Sequence, residues 1–339
     1  MLNRWFIRGS ALAVASLAWF DAAGPVAAHG PVPAESPTIA NLALGWTFEP
    51  LVAVPLGLLA AGWLILVDRV ARRHPGNPVA LRRSLAFIGG LVAIAVALLS
   101  GIGRYDTTLF SIHMVQHLVL VLVAAPLLVL AAPITQLLRA SSPEVRHRWL
   151  LPILHSRAVA VAGHPVVAWS SFTAILWLSH FSPLFDVALE NQAVHDLEHA
   201  LYLGSALLFW WPVIGADPAP RRMSHPARIG YVLLQMPFSS FLAMAVLFTD
   251  APLYRHYATL GAPYGITALA DQQQAAGIMW LISDAIFIAA IMVIVAVWMR
   301  HEDRDAPAAD RRADAARAAL RERADRLAER RAATGEGPR

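Results

Sequence analysis

Two histidine pairs with the same spacing carry most of the chemistry this sequence offers. His113 and His117 stand four residues apart in the string His113, Met114, Val115, Gln116, His117, and His195 and His199 repeat the interval in His195, Asp196, Leu197, Glu198, His199. On a helix, an interval of four places both imidazoles on one face, separated by about 6 Å of rise, so each pair suits a shared ion. His180, at the end of another apolar run, is a fifth candidate. Asp196, Glu198 and Asp271 are acids that can balance a cation and orient imidazoles by accepting their second ring proton. Met114, Met244 and Met279 are soft thioethers that belong, at most, to an outer shell. The chain has no cysteine, which excludes thiolate sites and disulfides. What remains is imidazole chemistry: copper or zinc, or haem held by axial histidines.

Both pairs can serve one site only if the elements carrying them run the same way and start at the same depth. The composition says what those elements are. A chain of 339 residues that is 57% hydrophobic and 15% charged cannot bury all its apolar surface in one soluble core. Apolar runs of about 20 residues, the length that crosses a bilayer, recur at Pro50 to Val67, Ser84 to Ile102, Ile112 to Ala131, His164 to Phe181, His195 to Gly215, Ile229 to Thr249 and Gln273 to Met299. The expected fold is therefore all-α: a polytopic membrane bundle of about seven transmembrane helices.

An N-terminal stretch precedes them, with Arg4 and Arg8 before an apolar run and small residues at Val26, Ala27 and Ala28. It reads as a signal peptide over 1–28, followed by a periplasmic linker over 29–49, the membrane domain over 50–299 and a charged cytoplasmic tail over 300–339. Arginine sets the orientation, because the chain has no lysine and cytoplasmic loops retain positive charge. Arg69, Arg72, Arg73, Arg82 and Arg83 follow the first run, Arg139, Arg146, Arg148 and Arg157 the third, and Arg221, Arg222 and Arg228 the fifth. Those loops lie inside, so the third and fifth helices both begin outside with their histidine pairs. His180 and Asp271 reach the same face. His74, His147, His155, His164, His225 and His301 fall on the inner side as ordinary polar neighbours; His29 and His256 are weaker outer candidates. The arginines of the tail suit anionic lipid headgroups, and no motif for nucleic acid is present.

Several strings carry a family resemblance. The segment from Phe110 to Pro133, with His113, Met114, Gln116, His117, Pro126, Leu127 and Leu128, is similar to the signature of the multi-helix CtaG family of cytochrome c oxidase assembly factors. His180 before Pro183, the segment His195 to His199 leading to Phe209, Trp210, Trp211 and Pro212, and Asp271, Gln272, Gly277, Met279 and Trp280 resemble its later motifs. One departure falls at Ala131, Ala132, Pro133, where the family's pattern has a glycine. The resemblance implies a bacterial cytoplasmic-membrane protein that partners a haem-copper oxidase subunit. It implies copper, received from a periplasmic carrier, bound by His113, His117, His195 and His199 near His180, and passed on by ligand exchange without enzymatic turnover. Partly exposed ligands fit such exchange. Three other readings start from the same residues: a zinc hydrolase, since His195, Glu198 and His199 match an inverted zinc-peptidase pattern; a haem-binding electron-transfer protein; and a copper transporter, to which Asp284 in the last span would contribute.

Overall fold

The computed structural model describes residues 32–334, which form helices and loops with no strand. The expected signal peptide over 1–28 and His29 lie outside the described residues. All seven apolar runs are helical. The principal helices are α1 (Pro50–Arg73), α2 (Leu81–Leu99), α3 (Phe110–Leu118), α4 (Ala125–Leu130), α5 (Pro133–Ala140), α6 (Pro165–His180), α7 (Leu184–Glu190), α8 (Gln192–Ile214), α9 (His225–Leu247) and α10 (Ala268–Thr334). A π-helical segment, Val119–Ala124, joins α3 to α4.

By length and composition, five helical stretches can cross a membrane: Pro50–Arg73, Leu81–Tyr105, Phe110–Ala140, His225–Leu247 and Ala268–Arg304. A sixth is obtained if α6 and α7, bent by 70° at their junction, are one broken span. The length of α8 suffices, at 23 residues, but its opening turns carry His195, Asp196, Glu198 and His199 and dilute its apolarity. Burial has the pattern of a membrane protein. Leu58, Leu64, Leu85, Phe241 and Leu281 are exposed, whereas Asp106, His113, Gln116, His195, Glu198 and Gln235 are buried, because lipid solvates aliphatic side chains and leaves polar ones to find each other.

Local chemistry sets the helix ends. Asn191 opens α8, its Oδ1 accepting from the amides of Ala193 (3.0 Å) and Val194 (3.3 Å), the N-cap role in which asparagine excels. Gly215 closes it at φ 61°, a left-handed turn that glycine adopts without penalty. Between α4 and α5 the same left-handed conformation falls on Ala132, at φ 53° and ψ 57°. Ala132 falls within the stretch Ala131, Ala132, Pro133 where the resemblance implies a glycine, and here alanine carries a strain of about 1–2 kcal/mol.

The π segment has a definite cause and a definite remedy. In a π turn each N–H reaches five residues back, and Ala125 N–H accordingly bonds the carbonyl of Leu120. The next donor in that register would be residue 126, which is proline and has no N–H. The carbonyl of Val121 is therefore left without a backbone partner, and the indole Nε1 of Trp210, on α8, donates to it at 2.9 Å. This side-chain hydrogen bond helps tie the two histidine-bearing segments together.

The chain from Ala289 onward forms a second compact unit. It contains the end of α10, whose residues 314–330 are exposed. Arg317 pairs with Asp314 at 3.0 Å, and Arg326 pairs with Glu322.

Replacing Trp210 by Phe would keep most of the ring but leave Val121 O buried without a donor. We expect the melting temperature of the detergent-solubilised protein to fall by the equivalent of about 1–3 kcal/mol; no change would mean that the indole bond does not hold the segment.

Candidate metal centre

The equal spacing of the two pairs becomes equal depth in the structure. On α3 the rings of His113 and His117 stack with centroids 4.3 Å apart, and on α8 those of His195 and His199 lie 4.2 Å apart. Across the two helices His113 faces His195 and His117 faces His199, each at 5.4 Å. The four rings form one layer. They are 0 to 8% exposed, so the expectation of partly exposed ligands is corrected. Phe185, on the short helix α7 that bends back from α6, covers His113 at 4.9 Å between ring centroids. It stacks on Tyr254 at 4.2 Å, and both meet Phe110.

Two carboxyls complete the layer and divide it into two groups. The ligand atoms of His113, His117 and Glu198 lie within 4.8 Å of one another, and so do those of Asp106, His195 and His199. Among the described residues, both ring nitrogens of His113, Nε2 of His117 and both carboxyl oxygens of Glu198 have no hydrogen-bond partner. A buried polar atom normally has one. Atoms of this kind, converging from two helices, match the nitrogen and oxygen donor set that copper or zinc accepts.

The second group is already connected. His199 Nε2 donates to Gln116 Oε1 at 2.9 Å, and Gln116 Nε2 donates to Asp106 Oδ2 at 2.7 Å and to the carbonyl of Ala97 at 3.1 Å. Asp106 also accepts from the Thr107 amide at 2.6 Å and stands 4.0 Å from His195 Nε2. Sequence reasoning missed Asp106. It sits in the turn Tyr105, Asp106, Thr107, Thr108 between two apolar runs, and the available signal was an acid just before the histidine-bearing helix. Burial, with a smaller push from the charge of Glu49, raises its carboxyl to about 8, against the hydrogen bonds from Gln116 and Thr107 that favour the ionised form.

The remaining candidates separate from the layer. His180 is buried beside it, across Phe185 at 5.7 Å. Its Nδ1 donates to the carbonyl of Leu176 at 2.8 Å, while Nε2 is without a partner. Asp271 is a helix cap: its carboxyl accepts from the amide of Phe110 at 2.5 Å and from that of Ser111 at 3.3 Å, fixing the start of α3 and hence the depth of His113. Gln272 accepts from the amide of Leu253 at 2.7 Å. Asp196 accepts from Gln192 at 2.9 Å near the start of α8. His256 ties its loop to the carbonyl of Thr107 at 2.8 Å. Asp284, left open by the sequence, accepts from Ser240 at 3.2 Å and from the indole of Trp280 at 3.0 Å. Of the methionines, Met114 and Met279 are buried and Met244 is half-buried.

Long apolar helices that turn a layer of imidazoles and carboxyls inward define a class, the polytopic helical membrane proteins with a buried polar centre. Within that class the chain belongs to the cytochrome c oxidase caa3 assembly factor family, Caa3_CtaG, whose family model matches residues 61–301. It is 32% identical over 287 residues to uncharacterized proteins of Mycobacterium bovis and Mycobacterium tuberculosis, and 32% identical over 288 residues to one of Mycobacterium leprae. Each alignment covers 83% of this chain and 43% of the relative, so the chain spans less than half the length of the curated relatives it matches. No solved structure matches it.

The raised carboxyl of Asp106 has a sign that can be tested. A group whose pKa is higher folded than unfolded binds more protons in the folded state, so its contribution is complete below about 4 and is lost as pH rises to about 8. Melting temperatures of the metal-free wild type should therefore fall more between pH 5 and pH 8 than those of Asp106→Asn. Parallel curves for the two proteins would show that Asp106 does not titrate in this window.

Proposed function

We propose that the protein binds copper between α3 and α8 and delivers it to the oxidase whose assembly it assists. The observation that carries this reading is the set of buried ligand atoms, from His113, His117 and Glu198, that converge without hydrogen-bond partners. Asp106, His195 and His199 provide a second group in the same layer, and His180 is an adjoining position. Copper is preferred over zinc because the family assembles a cytochrome c oxidase and a haem-copper enzyme has to be given copper. Haem fits less well, since the cavity beside His117 and His180 is only about 30 Å³.

In this reading, the bundle crosses the bacterial cytoplasmic membrane seven times, with the histidine layer at the periplasmic end and the arginine-rich loops and tail in the cytoplasm. Copper comes from a periplasmic carrier. It replaces the missing hydrogen-bond partners of His113, His117 and Glu198, and leaves by the reverse exchange when an oxidase subunit presents competing ligands. No bond in a substrate is made or broken, so turnover is not required. A zinc-hydrolase role asks Glu198 to activate water for an ion held by His195 and His199. Its position among the ligand atoms of His113 and His117 favours instead a part in holding or balancing the ion. The cover formed by Phe185 and Tyr254 means that entry and release follow the opening of this aromatic layer.

The test uses the full chain purified in detergent, loaded with copper or zinc, with metal content and visible spectrum recorded for wild type, His113→Ala and His195→Ala. Wild type should retain copper, and each variant should bind it at the histidine layer more than about 100-fold more weakly, beyond the 10–100-fold typical of losing an outer-shell partner. Retention of zinc alone, a Soret band, or unchanged copper in both folded variants would overturn the proposal.

A further inference from the structure

Beside the histidine layer, and sharing His117 with it, the structure holds a feature that the proposed centre does not use. A cavity of about 30 Å³ is lined by Met114, His117, His180, Tyr202, Met279 and Ser283 among others, large enough for one water-sized occupant. Its depth follows from the cap described above. Asp271 binds the first amides of α3, so α3 and α10 start level. His117, seven residues into α3, and Met279, eight residues beyond Asp271, then lie about 10–12 Å along their helices at 1.5 Å per residue. Met114 precedes His117 by three residues, on the same face of α3.

The donors around this cavity differ in kind from those of the layer. Met114, Met279 and His180 are each 3 to 4% exposed. Because a carbonyl can only accept, the bond to Leu176 O assigns the proton of the neutral His180 ring to Nδ1 and leaves Nε2 with its lone pair. That atom has no hydrogen-bond partner, and neither does Nε2 of His117. No acid lines the cavity. Neutral thioether and imidazole ligands without a carboxylate select a soft monovalent ion, Cu(I), over Cu(II) or Zn(II), which favour the nitrogen and oxygen donors of the layer. A monovalent ion also loses less hydration energy on entering a low-dielectric site.

We propose that this cavity is a second copper site, specific for Cu(I), in which Met114, Met279 and His180 are ligands and His117 is shared with the histidine layer. The proposal rests on copper being the cargo of that layer, and adds an internal route. A Cu(I) ion exchanges ligands at His117, leaves the carboxylate-containing group and moves into the adjoining cavity. It remains Cu(I) throughout, so no electron is transferred and no co-reactant is needed.

The chain contains no cysteine, so in protein loaded with Cu(I) under a thiol-free reductant any copper–sulfur scattering in X-ray absorption comes from methionine. Wild type should show it. The volume-conserving double variant Met114→Leu, Met279→Leu, which a core tolerates well, should lose the sulfur signal and bind Cu(I) at least tenfold more weakly at this site while still taking up Cu(II). The double variant His113→Ala, His195→Ala should keep sulfur-bound Cu(I). A loaded wild type with only nitrogen and oxygen around copper, or a leucine variant with unchanged Cu(I) content and sulfur signal, would overturn the thioether site and leave the histidine centre standing. Sulfur-bound Cu(I) as the sole copper in wild type, unaffected by loss of His113 and His195, would support the thioether site and remove the histidine reading.

Discussion

Buried polar atoms that no other protein group pairs with dictate the architecture around them. Leaving a single such group unpaired costs roughly 2–7 kcal/mol against an apolar reference, and the layer between α3 and α8 gathers several, from His113, His117 and Glu198. A fold that tolerates this has to hold those side chains rigidly, because collapse onto alternative partners would relieve the cost. The structure holds them from three directions. Asp271 fixes where α3 begins, Gln116 links His199 to Asp106 and to α2 through Ala97, and Phe185 with Tyr254 excludes solvent from above.

The supporting residues are as polar as the centre itself, yet their roles divide by what they touch. Asp271 and Gln272 bind backbone and build the walls; Gln116 and Asp106 bind a histidine ring and each other. Both kinds of work fall to side chains, because buried loops and helix ends leave backbone groups that need a partner. This is why a short run of sequence carries acids and amides so densely. It also explains why an acid near the histidines is an ambiguous sign: Glu198 joins the ligand atoms, whereas Asp271, equally suggestive in the sequence, serves two amides.

Much of this was legible in the residues. The i, i+4 spacing predicted two imidazoles per helix face, and the arginine pattern predicted that both helices start at one end. The rings do meet pairwise, at 5.4 Å. Each of the seven apolar runs is helical, though only five stretches, or six with the bent pair, are long and apolar enough to cross a membrane. The burial of the site was not legible, because the helix that covers it, α7, comes from a break after α6 that no local signal announced beyond Pro183. Asp106 was hidden by its loop, since a lone acid in a turn is ordinary. The backbone is left-handed at Ala132, within the three residues Ala131, Ala132 and Pro133 where the resemblance leads to the expectation of a glycine.

The π segment between His117 and Pro126 acts as a phase setting for the whole third span. Each residue of an α-helix turns the chain by about 100°, so the widened turn at Val119–Ala124 rotates the histidine-bearing half relative to the half in which Leu128 packs against Gly90 of α2. Deleting a single residue there would restore a regular helix and, at the same stroke, swing His113 and His117 away from α8. The nine-residue interval from His117 to Pro126 is thus part of the centre in the same sense as the histidines: change the count, and identical side chains no longer face one another.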